Sequence, residues 1–128
     1  MKRRGLEPSK RVAYFEYDFA RDGGAVGTIA MRGDALPDDA VVTNGKIQVQ
    51  TALTSSGSAT AAIQLLSAGD VLAATAKASF TANAILDIVP VSTAATCIRT
   101  TSAGLVPSIV IAVAALTAGK ITLALEYL

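Results

Sequence analysis

Histidine is absent and cysteine occurs once, at Cys97, so the side chains that most often supply a general base, an activated thiolate or a zinc ligand set cannot converge. Cys97 lies in the alternating run Ala95-Thr96-Cys97-Ile98-Arg99, where it reads as a small buried apolar residue. Being single, it closes no disulfide within the chain. Asp34, Asp38 and Asp39 could offer oxygen ligands to a hard cation, but their order is not that of a calcium loop, and solvated carboxylates are the expectation. Glu16 and Asp18 stand beside aromatic residues, as paired carboxylates of glycoside hydrolysis can; they fall, however, on what reads as the exposed face of a strand. Gly23-Gly24-Ala25-Val26-Gly27 has neither the lysine of a phosphate-binding loop nor a strand-then-helix setting, and reads as a turn. Arg32-Gly33-Asp34 repeats the triplet of integrin-binding loops and is likewise expected to be a turn. No general base near neutrality can be named. The expectation is a chain that is not an enzyme, with no catalytic residue, no metal ligand and no cofactor.

Charge divides the chain more clearly than any motif. The formal net charge is +1, yet Lys2, Arg3, Arg4, Lys10 and Arg11 face Glu7 alone in the first eleven residues. Residues 1–11 therefore read as a basic N-terminal tail and residues 12–128 as a single domain. The five tail cations are the candidate partner-binding residues, suited to an acidic protein surface. The tail has no aromatic residue on which a base could stack, so nucleic acid is not the expected partner.

A chain of 128 residues can bury roughly two-thirds of its unfolded surface around one core. Its apolar fraction is 52%, but much of that is alanine and tryptophan is absent, so the core of a lone molecule is thin. The charged coat usual for a small free-standing domain is sparse. Both features point to apolar surface covered by partners, as in obligate interfaces. The basic start runs into Glu16 and Asp18 without a small-residue cleavage site, so no secretory signal is expected and synthesis is placed in the cytoplasm. The most hydrophobic stretch, Leu105 to Leu116, is too short for a spanning helix, which needs about 20 residues; no membrane partner is expected.

The elements that would position these residues are strands. Apolar residues recur with period two: Ala13, Phe15, Tyr17 and Phe19; then Ile47, Val49, Thr51 and Leu53; then Ile121, Leu123, Leu125 and Tyr127. Val26 to Met31 reads as a strand with Gly27 at a bulge, followed by a polar loop from Arg32 to Asp39. Thr43-Asn44-Gly45 is a turn or bulge inside Ala40 to Thr54, and Ser55 to Ser58 is expected to join that strand to Ala59–Leu66 as a hairpin. Asp70 could cap a short helical turn through Val71 to Ala73; the pattern from Ser67 to Ala84 is otherwise open. Ile85–Val91, ended by Pro90, and Thr96–Thr100 read as short strands, and two paired strands close the chain. About eight strands separated by Gly, Asp, Ser and Pro turns give an all-β, antiparallel two-sheet sandwich of jelly-roll type.

Tyr17-Asp18-Phe19, Asp22-Gly23-Gly24-Ala25-Val26-Gly27-Thr28-Ile29, Gly33-Asp34-Ala35-Leu36-Pro37 and the ending Ala118-Gly119-Lys120-Ile121 to Tyr127-Leu128 resemble small virion structural proteins of tailed bacteriophages, over roughly residues 12 to 128. In size and inferred fold the chain is most similar to capsid decoration, or cement, proteins, which commonly form jelly-roll dimers or trimers at junctions between capsid subunits. That resemblance implies binding to the outer shell, with the major capsid protein and further copies of the chain as partners, a homotrimer before a dimer. It also implies a place on the capsid exterior after synthesis in the host cytoplasm. The same build serves a second expectation, a fibre or spike base or a module binding host-surface carbohydrate, for which Tyr14 and Tyr127 would lie exposed together in a groove. The resemblance carries over no functional residues, because its motifs are turns and strands.

Overall fold

The computed structural model describes residues 11–89 and 97–128. Strand β1 (Arg11–Asp18) buries Ala13, Phe15 and Tyr17 and turns Val12 and Tyr14 outward. Asp18 ends it, its carboxylate accepting the Ala20 N–H at 3.0 Å to cap a single helical turn, α1 (Phe19–Asp22). There follow β2 (Gly27–Ala30), β3 (Arg32–Gly33), β4 (Val41–Ser55), β5 (Thr60–Gln64), β6 (Leu72–Ala76), β7 (Ile85–Asp87), β8 (Ile98–Arg99), β9 (Ser108–Ala112) and β10 (Leu116–Tyr127).

The strands form two antiparallel sheets. The larger has the order β3-β1-β10-β4-β7, with β8 also pairing to β4; the smaller has the order β2-β9-β5-β6. Set aside the short β3 and β8, and two four-stranded layers remain, β1-β10-β4-β7 and β2-β9-β5-β6. This is the double Greek key of a jelly roll. The two inner faces meet in one core: Ile47 and Val49 from β4 and Ile121, Leu123 and Leu125 from β10 lie against Ile63, Ile109 and Ile111 of the smaller sheet, all at most 1% exposed. Thr100 is a polar exception and is fully satisfied, accepting the Ala40 N–H at 2.8 Å and donating to the Pro37 carbonyl at 2.6 Å.

Several local expectations give way to this topology. β4 and β5 do not form a hairpin, because β5 pairs with β6 and β9 in the other sheet; Ser55 to Ala59 carries the chain between layers. The closing strands β9 and β10 are separated in the same way. Thr117 to Lys120, expected as a turn, lies inside β10 at a series of register shifts against β4. There Gly119 (φ +149°) leaves room for Leu53, whose Cδ2 would stand 2.1 Å from an added Cβ. The irregularity at Thr43 is a bulge, since Val42 faces Tyr127 while Asn44 faces Glu126. Asp70 looks backward rather than forward. Its carboxylate accepts the N–H groups of Leu65, Leu66 and Ser67 at 2.7–3.0 Å, and Leu72–Ala76 that follows is strand β6, not helix. Of the segment ended by Pro90, Ile85–Asp87 is strand, and Pro90 lies outside the described residues.

Candidate interaction surface

The triplet Arg32-Gly33-Asp34 begins as strand rather than turn, with Gly33 and Asp34 exposed. Arg32 and Gly33 form β3, paired to Glu16 and Phe15 of β1, and all three nitrogens of the Arg32 guanidinium donate to carboxylates. It reaches both carboxylate oxygens of Asp22 at 3.0–3.1 Å and Glu16 at 3.1 Å, while Lys120 approaches the other Glu16 oxygen at 3.4 Å. This hydrogen bonding from Arg32 holds the Asp22 carboxyl below its usual range. Beneath the cluster the Tyr17 hydroxyl donates to the Gly23 carbonyl at 2.6 Å. Burial, and then the negative charges of Asp22 and Asp18, push its pKa up to about 12. Glu16 and Asp18 therefore serve as ion-pair partner and helix cap, tying β1, α1 and β3 into one corner of the larger sheet.

The three loop carboxylates are likewise dispersed. Asp39 pairs with Arg99 at 2.7 Å, and Asp38 accepts the Asp39 N–H at 2.9 Å. Among the described residues no group of three or more His, Cys, Asp or Glu could hold a metal ion. Cys97 is half-buried at a cavity of about 340 Å³ shared with Leu66, Asp70 and Val89; Asp70 there is already committed to three backbone N–H groups.

Of the five tail cations, Arg11 is exposed and opens β1 opposite Tyr127; Lys2, Arg3, Arg4 and Lys10 lie outside the described residues. From Arg11 the chain runs directly into a groove on the outer face of the larger sheet. Two cross-strand rows build it: Tyr14, Ala124 and Lys46, and beside them Val12, Glu126 and Asn44. Ala124, the small middle residue, leaves the Tyr14 ring uncovered, so Tyr14 is 57% and Val12 42% exposed. The groove encloses about 300 Å³. It joins an aromatic ring, an aliphatic side chain, an amide and charges of both signs, a mixture suited to holding a protein surface. Tyr127 is not part of it. That residue packs half-buried against the core on the inner face of the same sheet, so the two tyrosines do not share a groove. Sequence alternation alone finds Val12 and Tyr14 facing outward. Their neighbours Lys46, Ala124 and Glu126 emerge only once β10 is known to run between β1 and β4.

The fold of this chain is found in bacteriophage capsids. A chain of the capsid asymmetric unit of cyanophage Pam1 matches it with a TM-score of 0.64 and 19% identity, covering 93% of this chain and 84% of that one. A chain of the acidic stable capsid structure of Helicobacter pylori bacteriophage KHP30 matches with a TM-score of 0.64 and 15% identity, covering 95% and 89%. No protein-family model matches the sequence, and no curated protein matches it. At these identities the likeness is one of fold, and it extends over nearly the whole chain. Among the described residues no helix is long and apolar enough to cross a membrane.

Proposed function

We propose that this chain is a virion structural protein of a bacteriophage, a capsid decoration or cement protein that binds the outer shell at subunit junctions and stabilises it. The observation that carries this reading is the jelly-roll likeness, over nearly the whole chain, to chains of two phage capsid structures. The surface is consistent with such a role. Tyr14 and Val12 offer an apolar anchor, and Arg11 continues from it into the cations Lys2, Arg3, Arg4 and Lys10. On this reading the groove docks on the major capsid protein while the tail lies across an acidic part of the shell. Each contact is weak, but a repeated lattice multiplies it through avidity. The chain acts with further copies of itself, as a trimer or a dimer, on the capsid exterior. Its role is structural rather than catalytic.

The carbohydrate-binding alternative would gain from Tyr14 and Tyr127 exposed together in one groove, and their placement on opposite faces of one sheet gives it no such support. The test of the proposal is quantitative mass spectrometry of purified particles of the phage that encodes the chain. The expected result is a copy number of the same order as the major capsid protein. A few copies per particle, or none, would overturn it.

A further inference from the structure

Among the described residues the two sheet paths end at β3, β7, β6 and β2, and the first three of these are blunted against pairing with another strand. β3 is two residues long and carries Arg32; β7 is three residues long and carries Asp87, which pairs with Lys46; β6 is irregular, with a register shift where it meets β5 between Ala61 and Ile63. Shortness, charge and bulges are the usual devices that stop sheets from growing. β2 has none of the last two. Its residues Gly27-Thr28-Ile29-Ala30 pair with β9 in unbroken register and include no charge and no proline.

Its surroundings are equally undefended. Thr28 and Ala30, with their cross-strand neighbours Val110, Ser108, Ala62 and Gln64, make an outer face without one charged side chain. Val26, just before β2, is 57% exposed. At the same end of the β2–β9 pair, Val113 is 74% exposed and holds a φ of +74°, a conformation that β-branched residues rarely adopt. Strain kept at an exposed apolar residue is more often met at functional surfaces than elsewhere.

We propose that β2 pairs edge to edge with β2 of a second copy about a two-fold axis, joining the two smaller sheets into one eight-stranded sheet. The occupant is a second copy because the edge is complementary to itself. Residues directly opposite in an antiparallel pair point to the same face, so an axis at Thr28 sets Thr28 against its own equivalent on the outer face and Gly27 against Ile29. Threonine pairs are favourable there, and no like charges meet. Four residues a side bury far less than the roughly 800 Å² per partner of a standard interface. The free pairing is accordingly weak, and it strengthens where a shell holds copies side by side. The inference specifies the self-association within the proposed function, and it can fail while the shell-binding role stands, because particle copy number tests that role separately.

The experiment is analytical ultracentrifugation of the full chain up to about millimolar concentration, the range in which such a weak pair registers, together with hydrogen exchange at low and high concentration. The expected result is a reversible dimer whose formation slows exchange in residues 27–30. Thr28→Lys should raise its dissociation constant at least tenfold without changing the melting temperature, whereas Ala74→Lys on β6 should leave it unchanged. In a Cys97→Ser background, Thr28→Cys should cross-link into a covalent dimer under mild oxidation. A monomer at every concentration would overturn the inference, as would an oligomer indifferent to Thr28→Lys or concentration-independent exchange at β2.

Discussion

Gly33→Ala tests whether the Arg-Gly-Asp triplet is part of the framework or a recognition loop. A Cβ at residue 33 would lie 2.0 Å from the Tyr14 carbonyl oxygen and 2.8 Å from the Phe15 Cα, where real Cβ contacts stay beyond 3.0 Å. Both obstacles are backbone of a strand held on its other side by β10, so β3 must retreat by about 1 Å rather than β1. The retreat breaks the hydrogen bond from Asp34 N–H to the Tyr14 carbonyl, 3.2 Å long, and moves Arg32 off Glu16 and Asp22. Overpacking costs about 1–3 kcal/mol and the lost backbone bond about 1 kcal/mol, together roughly 2–4 kcal/mol. With an unfolding entropy of about 2.1 cal/mol/K per residue, a chain of 128 residues should melt some 7–15 °C lower, on the order of these figures. Differential scanning calorimetry of Gly33→Ala beside Asp34→Ala provides the comparison. The Asp34 side chain is exposed, and its truncation should cost no more than about 0.5 kcal/mol. An unchanged melting temperature for Gly33→Ala, or an equal fall for Asp34→Ala, would refute the reasoning.

Three further outcomes are expected. Leu123→Ala, in the middle of β10 and fully buried, should lose about 2–5 kcal/mol by denaturant titration; a loss below about 1 kcal/mol would mean that the core is not where β10 places it. The Tyr17 pKa is raised to about 12 in the folded chain, so the stability tied to its neutral hydroxyl should be complete below about pH 10 and lost as pH rises through about 12. A phenolate absorbance titration against Tyr17→Phe would show the late component disappear. Deleting residues 1–10 should leave the melting temperature unchanged but weaken pelleting with purified shells, and the difference should vanish from about 0.1 M to about 1 M salt as the screening length falls from about 10 Å to about 3 Å. A difference that persists at high salt would remove the electrostatic role of the tail.

The layer architecture was legible because its long strands have one wet and one dry face. β1, β4 and β10 alternate over most of their length, and their inward residues Phe15, Tyr17, Ile47, Val49, Leu123 and Leu125 are all buried, although Thr51 is exposed past an irregularity of β4. What the alternation does not encode is which sheet a strand joins. The loop Ser55 to Ala59 has the composition of a tight hairpin, yet it crosses between layers because β4 lies beside β10 and β5 beside β9. β6 was hidden because Leu72-Ala73-Ala74-Thr75-Ala76 has a single large apolar residue, too few to show a period. Arg32 reads as a loop residue in sequence, while its partners Glu16 and Asp22 lie 16 and 10 residues away. The groove was half legible: Val12 and Tyr14 follow from alternation, but the gap left by Ala124 depends on a strand more than a hundred residues distant in sequence.

Among the described residues the fold uses its carboxylates for structure. Carboxylates that share a stretch of sequence take structural roles: Glu16 and Asp22 on Arg32, Asp18 as a cap, Asp39 on Arg99, Asp70 on a turn. The surface also carries exposed apolar side chains such as Tyr14, Val12 and Val26, which serve as contacts on the proposed reading. That distribution suits a protein whose work is attachment.

Attachment to the shell is tested most directly by cryo-electron microscopy of the assembled particle at side-chain resolution. The expected density is a ten-stranded jelly roll on the outer surface at capsid subunit junctions, with Tyr14 and Val12 against the major capsid protein and residues 1–10 extending over it. A particle whose surface junctions are bare of this sandwich, or one that carries it only at a tail or fibre, would contradict the account.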